Sequence, residues 1–336
     1  MDTGYIWGKS MKRLAAIVII FVFIFIFINS LPMVFAEGNT SGSTEKIYIV
    51  YDSSKLLISS KYGDKYLWMK FAPCGPNNIF SLSGLYLSKY QEPDLSKTYL
   101  TMVSSCSDWI GPYSFVNKDY APSRDQNFTG GWHSGIINGK TVRTGYSKYV
   151  NLYINSKIVK YGFKGYCESA VVKVANYLKA HNTVNINKDS LYEHVEYTIT
   201  PCRIGVNVEF TALDNINILR YYGLQSLDYY WKGKVVYGNS QSEAASSSVS
   251  SNSGKKSLYP DVSTITVFTK DQGEFMEMGI DRSAGIGDMR YVGEDQPCAF
   301  TESYKKSYFS LVFGKEFLMS KNDKASWSGY YRFGTN

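Results

Sequence analysis

From Lys46 onward the chain repeats one pattern: short runs rich in Ile, Val, Tyr, Phe and Trp, alternating with polar residues and closed by Asp, Ser or Gly. KIYIVY, KLLISS and YLWMKF come first, the last two joined by KYGD. LSGLYLS, TYLTMVSS, YVNLYINSKIV, HVEYTIT, RIGVNVEFTAL, KVVYG, STITVFTK, YFSLVFG and GYYRFG follow. Alternation with a period of two, bounded by turn residues, marks strands and hairpins. A dozen of them predicts an all-β fold, a large antiparallel β-sandwich with few or no helices beyond the N-terminal segment. In SAVVKVANYLKAHN, Val171, Val174, Ala175 and Leu178 fall at helical spacing, but the β-branched content and flanking turns read as a strand. Residues 239–257 are serine-rich without an apolar period and read as a flexible loop on one large domain, residues 46–336.

The hairpin over residues 190–215 carries the most chemistry. Val195, Tyr197 and Ile199 share one face of its first strand, and Ile204, Val206, Val208 and Phe210 one face of its second. Paired about Pro201-Cys202, these sets cover the core. The opposite face then gathers Tyr192, His194, Glu196, Thr198 and Thr200 with Arg203, Asn207, Glu209 and Thr211. In the simplest register His194 stands opposite Glu209 and Glu196 opposite Asn207. A slip by two residues keeps the faces and changes the partners, and Pro201 fits a tight two-residue turn poorly. An aromatic ring, carboxylates, an amide and an arginine suit sugar hydroxyls and pyranose faces, and His194 with Glu209 offers a general acid–base pair. The same alternation is what any half-exposed antiparallel strand shows.

A second candidate is the segment GGWHSG. Its glycines allow a sharp turn or close approach to a ligand, and Trp132 and His133 supply a stacking plane and a proton-transfer group. Arg143 follows in NGKTVRTGY as a carboxylate clamp, and CSDWIGPYSF adds Asp108, Trp109 and Tyr113. Further on, Tyr222 and Gln225 stand in a second aromatic stretch that ends in SLDYYW. There is no GxxxxGK[ST], so no phosphate loop is expected. A long connection with its own aromatic cluster is the plainer account of these residues.

The N-terminus reads as an address. Lys9, Lys12 and Arg13 precede the apolar run from Leu14 to Ile28, and Val34-Phe35-Ala36 offers a cleavage site. Residues 1–36 are therefore a secretory signal, or an uncleaved anchor, since Leu14 to Ala36 is 23 residues without a charge. The 15-residue apolar core is short for a span. Met11 followed by Lys-Arg is an alternative start. Residues 37–45 form a polar leader, and the body is expected to be secreted or on the extracellular surface, touching a membrane only through an uncleaved N-terminal segment.

Composition narrows the chemistry. Of the formal charge of +7, three basic residues and one acid in the N-terminal segment account for +2, leaving +5 on about 300 residues. That is too dilute for a nucleic-acid partner. Three histidines without CxxC or HExxH exclude a zinc motif, so no metal or cofactor is expected. Cys74, Cys106, Cys167, Cys202 and Cys298 are too few for a disulfide-stapled scaffold, and their odd number leaves pairing open. The 29 tyrosines and 6 tryptophans suit a carbohydrate surface, although for each ring singly the core is the better expectation.

The order GGWHSG, VRTG, YEHVEYTI, VNVEFTAL, YYGLQ and WSGYYRF resembles secreted carbohydrate-active β-sandwich proteins. The likeness is to galactose-mutarotase-like supersandwiches and sandwich-type polysaccharide lyases, in style over residues 46–336 and in residues only through these strings. The resemblance implies a glycan or cell-wall polymer as partner. For a mutarotase-like enzyme it implies His194 or His133 with Glu209 as acid and base; for a lyase it implies Tyr192, His194, Arg203 and Asn207 on a concave sheet. A structural surface or phage-derived adhesion protein is the remaining alternative.

Overall fold

The computed structural model describes residues 45–104, 108–121, 127–248, 254–302 and 306–336. The N-terminal signal or anchor, nearly all of the polar leader, and Cys106 lie outside the described residues.

The protein is an all-β antiparallel sandwich. Its floor is a ten-stranded sheet whose central strands are Gly145–Ile154, Ala170–Lys179, Asp189–Thr200, Arg203–Ala212, Lys324–Thr335 and Glu274–Ile280, in that order. Two smaller sheets pack on this floor. One has six strands running from Phe163–Cys167 through Ile47–Tyr51, Leu56–Tyr62, Lys65–Cys74 and Ile79–Ser88 to Leu100–Val103. The other has five and is built around Lys306–Met319 and Ile216–Leu227, with Tyr113–Asn117 at one edge. Alternation drives this arrangement, because every second side chain of a strand points to the same side. Val195, Tyr197, Ile204, Val206, Val208, Phe210, Trp327 and Tyr331 are buried on the inner face of the floor. Phe71 of the six-stranded sheet meets Tyr197 edge-on at 5.3 Å. From the five-stranded sheet, the Tyr221 hydroxyl accepts a hydrogen bond from Trp327 Nε1 at 2.9 Å.

The hairpin adopts the simplest register: His194 opposes Glu209, Glu196 opposes Asn207, and Thr200 opposes Arg203 across Pro201-Cys202. Cys202 takes the second turn position at φ +52°, where a proline in the preceding position is compatible with a type II-like turn. The turn is tied to the neighbouring sheet by Cys202 N–H donating to Ser60 Oγ at 3.0 Å. Residues 170–179 are a strand, as the β-branched content indicates.

One feature departs from the sequence reading. Within the serine-rich run, Glu243–Ser248 is an edge strand paired with Lys234–Gly238, while residues 249–253 lie outside the described residues. Edge pairing uses backbone groups alone and leaves no apolar period to detect. Helical structure is as scarce as expected, with two short 3-10 turns, His181–Ile186 and Gly285–Asp288, among the described residues. Among the described residues no helix is long and apolar enough to cross a membrane.

Candidate functional site

The outer face of the hairpin is as expected in composition, and its charges are largely matched. Lys173 on the adjacent strand reaches Glu196 at 2.8 Å, and Lys324 reaches Glu209 at 3.3 Å. The Arg203 guanidinium lies 4.0 Å over the Tyr330 ring, and Tyr330 donates to Glu277 at 2.8 Å. Tyr192 hydrogen-bonds Tyr149 through their hydroxyls at 3.4 Å. Burial, then the Lys173 charge, lowers the His194 pKa, so this imidazole favours its neutral form. Asn207 is exposed beside them. His194 and Glu209 are cross-strand neighbours, but the Glu209 carboxylate is engaged by lysine.

The GGWHSG segment is built differently. Gly130 and Gly131 turn the chain at φ +79° and +49°, a left-handed region costly for a residue with a Cβ. His133 N–H closes the turn on Gly130 O at 2.9 Å. Asp108, 7% exposed, holds the loop from behind: one carboxylate oxygen accepts the Trp132 N–H, and the other stands 3.2 Å from His133 Nε2. The Asn77 amide donates to Gly131 O and His133 O, each at 2.9 Å. The Thr144 hydroxyl donates to His133 O and accepts from Gly130 N–H at 3.0 Å. The result is a rigid loop presenting Trp132, 50% exposed, with His133 beside it. A Cβ at Gly131 would sit 1.9 Å from Asp108 Oδ1. Gly131→Ala is therefore expected to displace Asp108 and lower the thermal midpoint by several degrees, whereas Gly139→Ala at the nearby Asn138-Gly139 turn, where a Cβ meets nothing within 4 Å, should cost less in the same melting experiment.

In front of His133 opens a cavity of about 1000 Å³. Tyr120, Phe128 and His133 supply rings, Asn127, Asn182 and Asn185 carboxamides, and Ile136, Ile137, Val184 and Ile186 an aliphatic side. Its walls are the loop itself, the small hairpin Gly135–Ile137/Lys140–Val142 and the 3-10 turn His181–Ile186. Phe128 stands 5.4 Å from both His133 and Tyr222, ring centre to ring centre. Behind the loop a void of only about 30 Å³ is lined by Asp108, Trp132, Tyr197 and Glu193 among others. Glu193 is buried there, accepting from the Tyr113 hydroxyl and Asn176 Nδ2, both at 2.8 Å.

The structure thus separates the residues singled out in the sequence. Trp132 and His133 come together with Asp108 on the loop, and Tyr222 joins them through Phe128. Tyr192, His194, Glu196, Arg203, Asn207 and Glu209 share the outer sheet face. Arg143 Nη2 lies 2.8 Å from the Asn78 carboxamide, which accepts from it once its oxygen is turned to the guanidinium. Gln225 is 1% exposed, inside the core and out of reach of a surface ligand. Glu193, Asn176, Asn77 and Thr144 were not singled out. Glu193 had a signal, since its parity with Leu191 and Val195 puts a carboxylate on the inward face; Asn77 and Thr144 reach the loop from far along the chain and had none. Among the described residues no cluster of three or more His, Cys, Asp or Glu is gathered for a metal ion.

No family model matches the chain, and no curated protein matches it. Similar solved structures include galactose 1-epimerase from Lactobacillus acidophilus, 8% identical, with 88% of this chain and 100% of that one covered and a TM-score of 0.38. A GH36 alpha-galactosidase from Geobacillus stearothermophilus, in complex with raffinose, is 11% identical over 83% of this chain, TM-score 0.42. This chain spans about 40% of that enzyme's length. Heparan sulfate lyase from Pedobacter heparinus is 8% identical, with 89% of this chain and 38% of that one covered and a TM-score of 0.30. The weak resemblance to mutarotase-like and lyase-type carbohydrate proteins is therefore found again among solved structures.

Proposed function

We propose that this protein is an exported glycan-binding sandwich, and that the saccharide occupies the cavity in front of His133. The observation that carries this reading is the cavity itself. At about 1000 Å³ it is at the upper end of the size of ligand sites, which pair apolar and aromatic walls with a few fixed polar groups. Rings, carboxamides and a histidine on a loop held by Asp108, Asn77 and Thr144 are such walls. The outer hairpin face supports a ligand less well, because its carboxylates Glu196 and Glu209 are met by lysine, the usual condition of a solvated strand face. Export rests on the basic and apolar segment over residues 9–36.

A glycan array followed by calorimetric titration tests the proposal. His133→Ala should weaken binding at least tenfold, about 1.4 kcal/mol, while His194→Ala and Glu209→Ala should stay within twofold. Loss in the hairpin variants alone would move the site to the sheet face, and no binding to any glycan would end the reading.

One observation favours a catalytic reading as a second possibility: a buried carboxylate orienting a histidine at a cavity wall is the arrangement of a positioned acid–base group. New reducing ends, unsaturated uronide absorbance or anomer exchange, abolished in His133→Ala, would establish it.

A further inference from the structure

Deepening the glycan reading, on which it rests, we infer that the cavity selects a neutral sugar bearing an acetamido group. The lining is divided by chemistry. Ile136, Ile137, Val184 and Ile186 make one side aliphatic, on the small hairpin and the 3-10 turn. Ile136 is 77% exposed and Ile186 50%. Single exposed apolar residues are ordinary on a surface, but several converging on one cavity mark a contact surface. A plain pyranose can use a ring for its apolar face, and Phe128 and Tyr120 supply rings already. A separate aliphatic wall suits a methyl group that projects from the sugar.

The polar side completes the match. An acetamido group carries one N–H donor and one carbonyl acceptor, the complement of a carboxamide. Asn182 is already used by the fold, its amide donating to Asn117 O at 2.8 Å and Ala121 O at 3.1 Å. Asn127 and Asn185 are exposed at the same cavity and offer both a donor and an acceptor. Charge argues in the same direction. Among the described residues no Asp, Glu, Lys or Arg lines the cavity. Lys188 stands 5.9 Å over the Tyr120 ring but is paired with Asp214 at 3.0 Å, Arg220 is 6.0 Å from the Phe128 ring and closer, at 4.0 Å, to Phe313, and Arg143 meets Asn78 at 2.8 Å. Among the described residues the wall offers a uronate or sulfated sugar no fixed Lys or Arg counter-charge.

The test uses the full chain and three trisaccharide probes: triacetylchitotriose, cellotriose, which has hydroxyls in place of the acetamido groups, and trigalacturonate. Triacetylchitotriose should bind at least tenfold more tightly than cellotriose, and trigalacturonate more weakly than either. Ile186→Ser and Ile136→Ser, both at exposed positions, should bring the first two affinities to within threefold of each other without moving the melting temperature. Equal affinities in the wild type, or a preference for the uronate, would overturn the inference and leave glycan binding standing. Failure of all three probes would also overturn it, and the glycan array then decides separately whether the glycan reading falls too.

Discussion

Asp108→Ala is expected to cost the protein loop order and ligand affinity together. The carboxylate is the shared acceptor for the Trp132 N–H and for His133, and it is nearly buried, so nothing replaces it when it is removed. A hydrogen bond to a charged group contributes about 1.5–3 kcal/mol, and an orphaned buried donor costs a similar amount. Unfolding in denaturant should therefore show a loss of about 2–3 kcal/mol, and glycan affinity should fall about as far as in His133→Ala, because the loop that carries His133 loses its anchor. Asp108→Asn separates two contributions. An asparagine can still accept the Trp132 N–H and can donate to an unprotonated His133 nitrogen, so it should keep most of the stability. If Asp108→Ala matches the wild type in both measurements, the loop is held by Asn77 and Thr144 alone and Asp108 has no anchoring role.

The strands and the faces of the hairpin were legible because burial of one side imposes alternation, whereas a slip by two residues preserves the faces and so left the register open. The difficulty posed by Pro201 disappears once Cys202 takes φ +52° and Ser60 accepts its N–H. Strand Ile216–Leu227 hid its nature for the opposite reason. Its pairing with Lys306–Met319 shifts register after Ile218, at Tyr221/Tyr222 and again before Gln225, and each irregularity breaks the period that would have announced it. That is also why Gln225, placed with surface aromatics by its neighbours in sequence, ends in the core.

The candidate site was legible in its parts but not in its assembly. GGWHSG stands out locally, yet what makes it a site is Asp108, 24 residues before Trp132, and Asn77, 54 residues before Gly131. Without them His133 had been matched with Glu209, which lies on the outer face of the sheet and faces Lys324. The cavity walls come from three separate segments with no shared motif, and long-range contacts of that kind leave no periodic trace.

The buried carboxylates predict how stability responds to pH. Asp228 is fully buried between Ser226 Oγ at 2.5 Å and Ser307 Oγ at 2.7 Å. Burial pushes its pKa up to about 6, with both hydroxyls and the Lys306 charge pulling the other way. Burial likewise raises Glu193 against the hydrogen bonds from Asn176 and Tyr113. A carboxyl raised on folding binds more protons in the native state than in the unfolded chain. Its contribution is complete below the unfolded value near pH 4 and is lost as pH rises through about 6. For Asp228 the loss is on the order of 3 kcal/mol. His194 acts with the opposite sign, since its pKa is lowered on folding and acid must charge it. The raw pH profile therefore mixes the two, and the difference between wild type and Asp228→Asn isolates the carboxyl. Denaturant unfolding from pH 4 to 8 should find the variant gaining on the wild type as pH rises from about 4 to about 7, then running parallel. Parallel curves across the whole range would mean that Asp228 stays ionised in the folded protein, its burial offset by the serines and Lys306.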